Sequence, residues 1–202
     1  MIKFDSVTIK YVHEFFSLLN FNLEIKNNTL IVGDFYSGST AIIRTLTKLD
    51  KNYTGEIYID NINIKEIKNK DLPIAYVSET PYLFKHKSIE KNLISPLKIR
   101  KNFKKDAKNI VKNAIFNYKL DNFHQSVKNL SNSEQKLITL IRASLWKPKY
   151  IILENFFENL DEKYFELAHK IINNIKQHSI IIATEKENKN IQIFNDFEIV
   201  KL

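Results

Sequence analysis

Apolar and polar positions alternate through residues 2–9 and again through 19–25, the period-two signature of half-buried strands. Four short runs then break the alternation: TLIV at 29–32, IAYVS after Pro73, YIIL at 150–153 and SIIIAT at 179–184. Strands with no polar face belong in a sheet covered on both sides. GEIYIDNINI at 55–64 is predicted to form two strands around an Asp-Asn turn. Helical spacing replaces the strand period at 40–49, through Ile42, Ile43, Leu46 and Leu49. The lysine-rich stretch 87–125 is predicted to be mostly helical. A further helix starts at a capping box, Ser131 with Glu134, and carries the stripe Leu137, Leu140, Ile141 and Leu145 until Pro148 ends it. Asp161 is expected to cap a helix whose stripe is Tyr164, Leu167, Ala168, Ile171, Ile172 and Ile175. The tail, IQIF followed by EIVKL, is predicted to close as a hairpin.

Buried strands alternating with amphipathic helices imply an α/β fold around a parallel sheet. The alternating N-terminal strands add an antiparallel layer, and the central helices a lobe at roughly 87–140. No repeat, low-complexity tract or Gly/Ser linker interrupts the 202 residues, 44% of them apolar, so a single domain over 1–202 is expected. There is no cysteine, which removes disulfides and thiolate metal sites and is consistent with a reducing compartment. The first ten residues alternate rather than forming the apolar core of a signal peptide, and no run reaches the ~20 apolar residues of a membrane span. The net charge of +8 does not change this picture: arginine occurs only at 44, 100 and 142, and the lysines are scattered. No nucleic-acid partner is expected.

The stretch GDFYSGST, Gly33 to Thr40, follows the run TLIV directly and has the spacing of a phosphate-binding loop, G-x-x-x-x-G-K-[ST], with Ser39 in the lysine position. The chain holds three glycines, Gly33, Gly38 and Gly55. Two lie where such a loop turns tightly and lets backbone approach phosphate. Backbone amides and the Thr40 hydroxyl are kept, the lysine charge is lost, and Asp34 adds a negative charge.

These landmarks resemble, in order and over nearly the whole chain, the ATP-binding cassette (ABC) family. Tyr11 lies where the family's adenine-stacking aromatic sits, and GDFYSGST matches its Walker A loop. All three glycines fall on glycine positions of the pattern. IAYVSETPYLF is similar to the Q-loop, with Glu79 at the glutamine position. LSNSEQ, Leu130 to Gln135, corresponds to the signature motif. KPKYIILENFFENLD resembles the Walker B and D-loop run, with Glu154 for the aspartate and Asn155 for the catalytic glutamate. Glu185 stands where the family has its switch histidine.

The resemblance implies a P-loop NTPase fold: an ABC-type ATPase domain with a RecA-like core, the antiparallel layer and the helical subdomain. It also implies a nucleotide site at Tyr11, Gly33, Tyr36, Ser37, Gly38, Ser39, Thr40 and Ala41, with Thr40 and Glu154 for magnesium. Asn155, Glu185 and Glu79 occupy the catalytic positions in altered form, so ATP and magnesium binding are expected to be weak and hydrolysis inefficient. Arg44 is expected to point away from the site. The signature residues Leu130, Ser131, Asn132, Ser133 and Glu134 face a nucleotide held by the opposite subunit in this family. Asn132 and Ser133 replace two glycines and are expected to crowd the phosphate. The implied partners are a second cassette and membrane permease subunits, the latter docking on about Pro81 to Asn92. The implied location is cytoplasmic, peripheral at the inner face of the cell membrane. Two alternatives remain: an active ABC ATPase subunit energising transport, and a soluble ABC-type binding module outside transport.

Overall fold

The structure is a computed structural model that describes residues 1–10, 17–33, 37–120, 124–186 and 191–202. Tyr11, Asp34 and Tyr36 therefore lie outside the described residues. Two sheets carry the fold. The first is antiparallel: β1 (Ile2–Lys10) lies between β2 (Ser17–Ile25) and β4 (Tyr53–Ile59), and the short β5 (Ile62–Asn63) pairs with β4. The second is parallel, in the order β6 (Ile74–Val77), β7 (Tyr150–Glu154), β8 (Ile180–Glu185), β3 (Thr29–Val32), β9 (Glu198–Lys201).

The strand period divides the core in two. Leu30, Val32, Ile151, Leu153, Ile181 and Ala183 face one side of the parallel sheet and pack with the helical side of the molecule. There stand α2 (Ile89–Ile99), α3 (Ala107–Asn117), α4 (Asn132–Ser144) and α5 (Phe165–Lys176). Ile31, Tyr150, Ile152 and Ile182 face the other side, against α1 (Ser39–Leu46) and the antiparallel sheet. Both faces are covered, which is why these runs show no polar alternation.

Local sequence explains the turns. Asp60 and Asn61 adopt φ of 53° and 66°, the two left-handed positions of a tight hairpin turn, which Asp and Asn tolerate. Gly55 sits at φ +83° against the irregular part of β1, and a Cβ there would come within 2.4 Å of the Ser6 carbonyl oxygen. Only glycine allows that approach.

Two elements differ from the sequence expectation. The tail is no hairpin: Ile191–Phe194 forms a 3-10 turn and β9 joins β3 in parallel, Leu30 opposite Ile199. Phe194 and Phe197 turn inward to 1% and 7% exposure and stack edge-on with each other, so ring burial overrides the local alternation. Asp161 opens the 3-10 turn Glu162–Tyr164 without a side-chain cap, and α5 begins only at Phe165. Its stripe still packs inward, with Ala168, Ile171, Ile172 and Ile175 buried.

A polar clasp joins the two sheets. Asp60 Oδ1 accepts from Lys149 Nζ at 2.7 Å, from the Tyr150 hydroxyl at 2.9 Å and from the N-terminal ammonium at 2.7 Å. Partial burial opposes the charge on Asp60, but these three donors outweigh it and hold the carboxyl down to about 2. A depressed carboxylate contributes stability above its unfolded pKa near 3.9, and that contribution is lost as pH falls through about 2. With a third of the side chain exposed, screening reduces the contribution to about 1–2 kcal/mol. Asp60→Asn is expected to lose that much at pH 7 and almost nothing at pH 2, read from urea midpoints at the two pH values. An equal loss at both would show that packing, not charge, matters at this clasp.

Candidate nucleotide site

The carboxyl ends of β3, β6, β7 and β8 converge beside the glycine loop. The Gly33 amide donates to the Glu185 main-chain oxygen at 3.2 Å, tying the loop entrance to the end of β8. A Cβ on Gly33 would lie 2.2 Å from Ser37 Oγ, so the loop closes this tightly only around glycine. Gly38, at φ 98°, is the N-cap of α1, whose first turn has no side-chain cap and no acidic residue. Ser39, Thr40 and Ala41 thus begin a helix with its amide end at the loop, the arrangement that favours an anion. Ala41 is buried, Ser37 and Ser39 half-buried, and Thr40 exposed.

The strand ends hold mostly carboxylates. Glu154, at the end of β7, is 9% exposed and accepts a hydrogen bond from the Tyr76 hydroxyl. Burial, then the Glu154 carboxylate, push the Tyr76 phenol far above its usual range. Arg44, expected to point away, is close enough for its charge to act in the opposite direction on that phenol. Asn155 takes a left-handed φ of 42°, anchored by its amide to Thr184 O at 3.0 Å and Thr184 Oγ1 at 3.2 Å. Its side-chain amide donates to Glu79 Oε2 at 3.1 Å. Glu185 is 1% exposed. The structure therefore brings Glu79 and Asn155 together, and places Glu154 and Glu185 at the ends of the neighbouring strands. Thr40 and Glu154 offer a hydroxyl and a carboxylate, oxygen donors of the kind magnesium takes.

Sequence reasoning missed Lys136. It sits on α4 at 1% exposure, and its ammonium donates to Phe156 O at 3.1 Å and to Glu158 O. Burial lowers its pKa, against the pull of Glu79, Glu185 and Glu158. The available signal was its place one turn before Leu140 on the helix's inner stripe.

At the start of α4 the capping box is present in full: Ser131 Oγ accepts from the Glu134 amide at 3.2 Å and Glu134 Oε2 from the Ser131 amide at 2.8 Å. Leu130 O accepts from Gln135 Nε2 at 2.9 Å. Ser133 does not crowd the helix end as expected. It is 2% exposed and turned inward, its Oγ accepting from the Asp161 amide at 2.9 Å. Asn132, like Ser131, is exposed there. In the segment 81–92, Tyr82 and Phe84 are 71% and 51% exposed, while Leu83 packs against the core. Asn92 is an internal post rather than surface: its Oδ1 accepts from the Phe84 amide at 2.7 Å and its Nδ2 donates to Ser88 O at 3.0 Å.

A five-stranded parallel sheet with a glycine loop running into α1, flanked by an antiparallel layer and a helical lobe, defines a P-loop nucleotide-binding domain. The family model described as ABC transporter matches residues 16–157. The chain belongs to that family, as an ABC transporter ATP-binding domain. It is 31% identical over 161 residues to a probable sulfate/thiosulfate import ATP-binding protein of Chlorella vulgaris, covering 74% of this chain and 68% of the relative. It is 27% identical to an Fe(3+) ions import ATP-binding protein of Vibrio cholerae and to an osmoprotective compounds uptake ATP-binding protein of Synechocystis. Those matches cover 78% and 91% of this chain but only 46% and 50% of the two relatives. Two solved dimeric structures of the cassette MJ0796 share the fold. One, a post-hydrolysis state with ADP and Pi, has TM-score 0.82 at 22% identity, and the other 0.83 at 23%; each match covers all of this chain and 94% of the solved one.

Proposed function

We propose that this chain is the nucleotide-binding subunit of an ABC import system, paired with a second cassette and with membrane permease subunits, and that its ATP site turns over slowly or not at all. Its relatives' names supply the import reading. The observation carrying the slow-site reading is the charge at the strand ends: Glu79, Glu154 and Glu185 stand there, and Ser39 leaves the loop without its lysine. A triphosphate at this place meets repulsion where a cation is usual.

In this reading the whole of 1–202 is one cassette, with the helical subdomain at roughly 87–140. Gly33, Ser37, Gly38, Ser39, Thr40 and Ala41 cradle the phosphates, with Tyr11 and Tyr36 completing the nucleotide site. Thr40 and Glu154 hold magnesium, which when bound neutralises phosphate charge. Leu130 to Glu134 face the partner's nucleotide. The permease docks on the face from Pro81 to Lys91, where Tyr82 and Phe84 are exposed, with Asn92 bracing it from inside. No helix among the described residues is long and apolar enough to cross a membrane. In this reading the permease holds the subunit at the inner face of the membrane, as the import names of its relatives suggest. Phosphate release from magnesium-ATP, with EDTA as background, tests the slow site: the expected rate is far below the ~10 s⁻¹ median of enzymes. A rate near that median would favour an ordinary energising ATPase, the second reading, which the relatives' names support.

A further inference from the structure

The groups at positions 79 and 155 are joined by one hydrogen bond, Asn155 Nδ2 to Glu79 Oε2 at 3.1 Å. The motif pattern described above has an amide at the first place and a carboxylate at the second. This chain has the same two chemistries in exchanged places. We propose that Glu79 is the proton acceptor for the water that attacks a bound nucleoside triphosphate, and that Asn155 is the residue that positions it. The inference rests on the nucleotide-site reading above and deepens it: the weakened site keeps a base, moved from the end of β7 to the end of β6.

The geometry separates Glu79 from the other carboxylates at the strand ends. Glu154 is 9% exposed and engaged by Tyr76. Glu185 is 1% exposed. The Glu158 side chain is 12% exposed and lies 3.6 Å from Lys186. Glu79 is half-buried and is the carboxylate that the Asn155 amide orients, so water can reach it while protein holds it. The orientation comes from a rigid source. Asn155 is fixed to β8 through two bonds to Thr184, in a left-handed conformation that Asn tolerates well. Its amide donates to Oε2, and the lone pairs of Oε1 remain to accept from water. An amide cannot itself take the proton, so the division of labour follows from the chemistry of the two groups.

In the reaction, the water oxygen bonds to the γ-phosphorus as Glu79 takes one of its protons. The bond from that phosphorus to the β,γ-bridging oxygen breaks, its electron pair leaving on the nucleoside diphosphate. The proton on Glu79 then passes to solvent, restoring the carboxylate. Nothing beyond water and the triphosphate is consumed.

The test is single-turnover hydrolysis of labelled magnesium-ATP with the full chain in excess. Glu79→Gln is expected to lower the rate constant about 100-fold. Asn155→Ala should lower it less, with the fall in kcat rather than KM, and the double exchange Glu79→Gln/Asn155→Glu should restore at least the wild-type rate. ATP binding measured calorimetrically in EDTA supplies a reading independent of turnover: Glu79→Gln should bind no more weakly than wild type, since a negative charge is removed. Should that variant misfold, Glu79→Asp, which keeps the carboxylate but retracts it, must give the intermediate rate. An unchanged rate in Glu79→Gln, binding lost in parallel, or no wild-type turnover above background would each overturn the assignment of Glu79. The last of these leaves the slow-subunit reading standing. A fast wild-type rate that collapses in Glu79→Gln would instead keep Glu79 and overturn the slow-site reading.

Discussion

Ser39→Lys is expected to tighten ATP binding by about ten- to a hundredfold, the effect of one charge-assisted hydrogen bond worth ~1.5–3 kcal/mol. The scaffold that such a lysine requires is already built. Gly33 closes the loop around Ser37, Gly38 takes the left-handed turn, and Ser39 is the first residue of α1, with Ser37 Oγ 3.5 Å from Ser39 Oγ. What the loop offers phosphate is backbone and helix dipole, which position an anion but supply only partial charge. A full positive charge at 39 acts on the same anion from the same helix end, against the carboxylates of Glu154 and Glu185. Calorimetric titration with ATP, with Ser39→Met as the control for side-chain length, measures the gain, which should shrink as salt is raised. If wild type already binds at micromolar levels and Ser39→Lys adds nothing, another cation does this work. Arg44, whose charge reaches the Tyr76 phenol, is then the residue to replace.

Much of this fold was legible because its signals are local. The buried runs of β3, β6, β7 and β8, the Asp60–Asn61 turn and the capping box at Ser131 are each set by a few adjacent residues, and each appears where the pattern put it. The tail was misread because β9 pairs with β3, about 170 residues earlier in the chain, and no local pattern encodes a parallel partner. Asp161 was misread because a capping residue type does not fix where the 3-10 turn ends and the helix begins. In the site, the order of landmarks was legible but their mutual bonds were not. That Ser133 turns inward to the Asp161 amide, that Tyr76 holds Glu154, and that Asn155 holds Glu79 depend on side-chain directions across strands far apart in sequence. Lysine in an amphipathic helix reads as solvent-facing by default, which is why Lys136 escaped notice.

Lys136→Met is expected to cost about 3–5 kcal/mol, the usual loss when one member of a buried charge cluster is removed. For a chain of this length that is a fall in melting temperature of roughly 10 °C. The side chain crosses from α4 to the loop after β7, and methionine fills the same space without the ammonium. Two carbonyl oxygens, Phe156 O and Glu158 O, then lose a buried donor. Three carboxylates, Glu79, Glu158 and Glu185, lose a neighbouring positive charge. The pH dependence separates charge from packing. Burial depresses the Lys136 pKa below its unfolded value near 10.5, so between the two values the folded state binds fewer protons than the unfolded one. Wild-type stability should therefore gain from Lys136 as pH rises through that window, and the methionine variant should lack this gain. Adding Glu185→Gln to Lys136→Met should cost less than the sum of the single changes, because the repulsion left by the first is relieved by the second. Urea midpoints of the four proteins at pH 7 and pH 10 decide it. If Lys136→Met melts within 2–3 °C of wild type, a shift worth about 1 kcal/mol, the ammonium is replaceable by packing. The loop after β7 would then be held by Ser133 and the aromatic cluster around Phe157 instead.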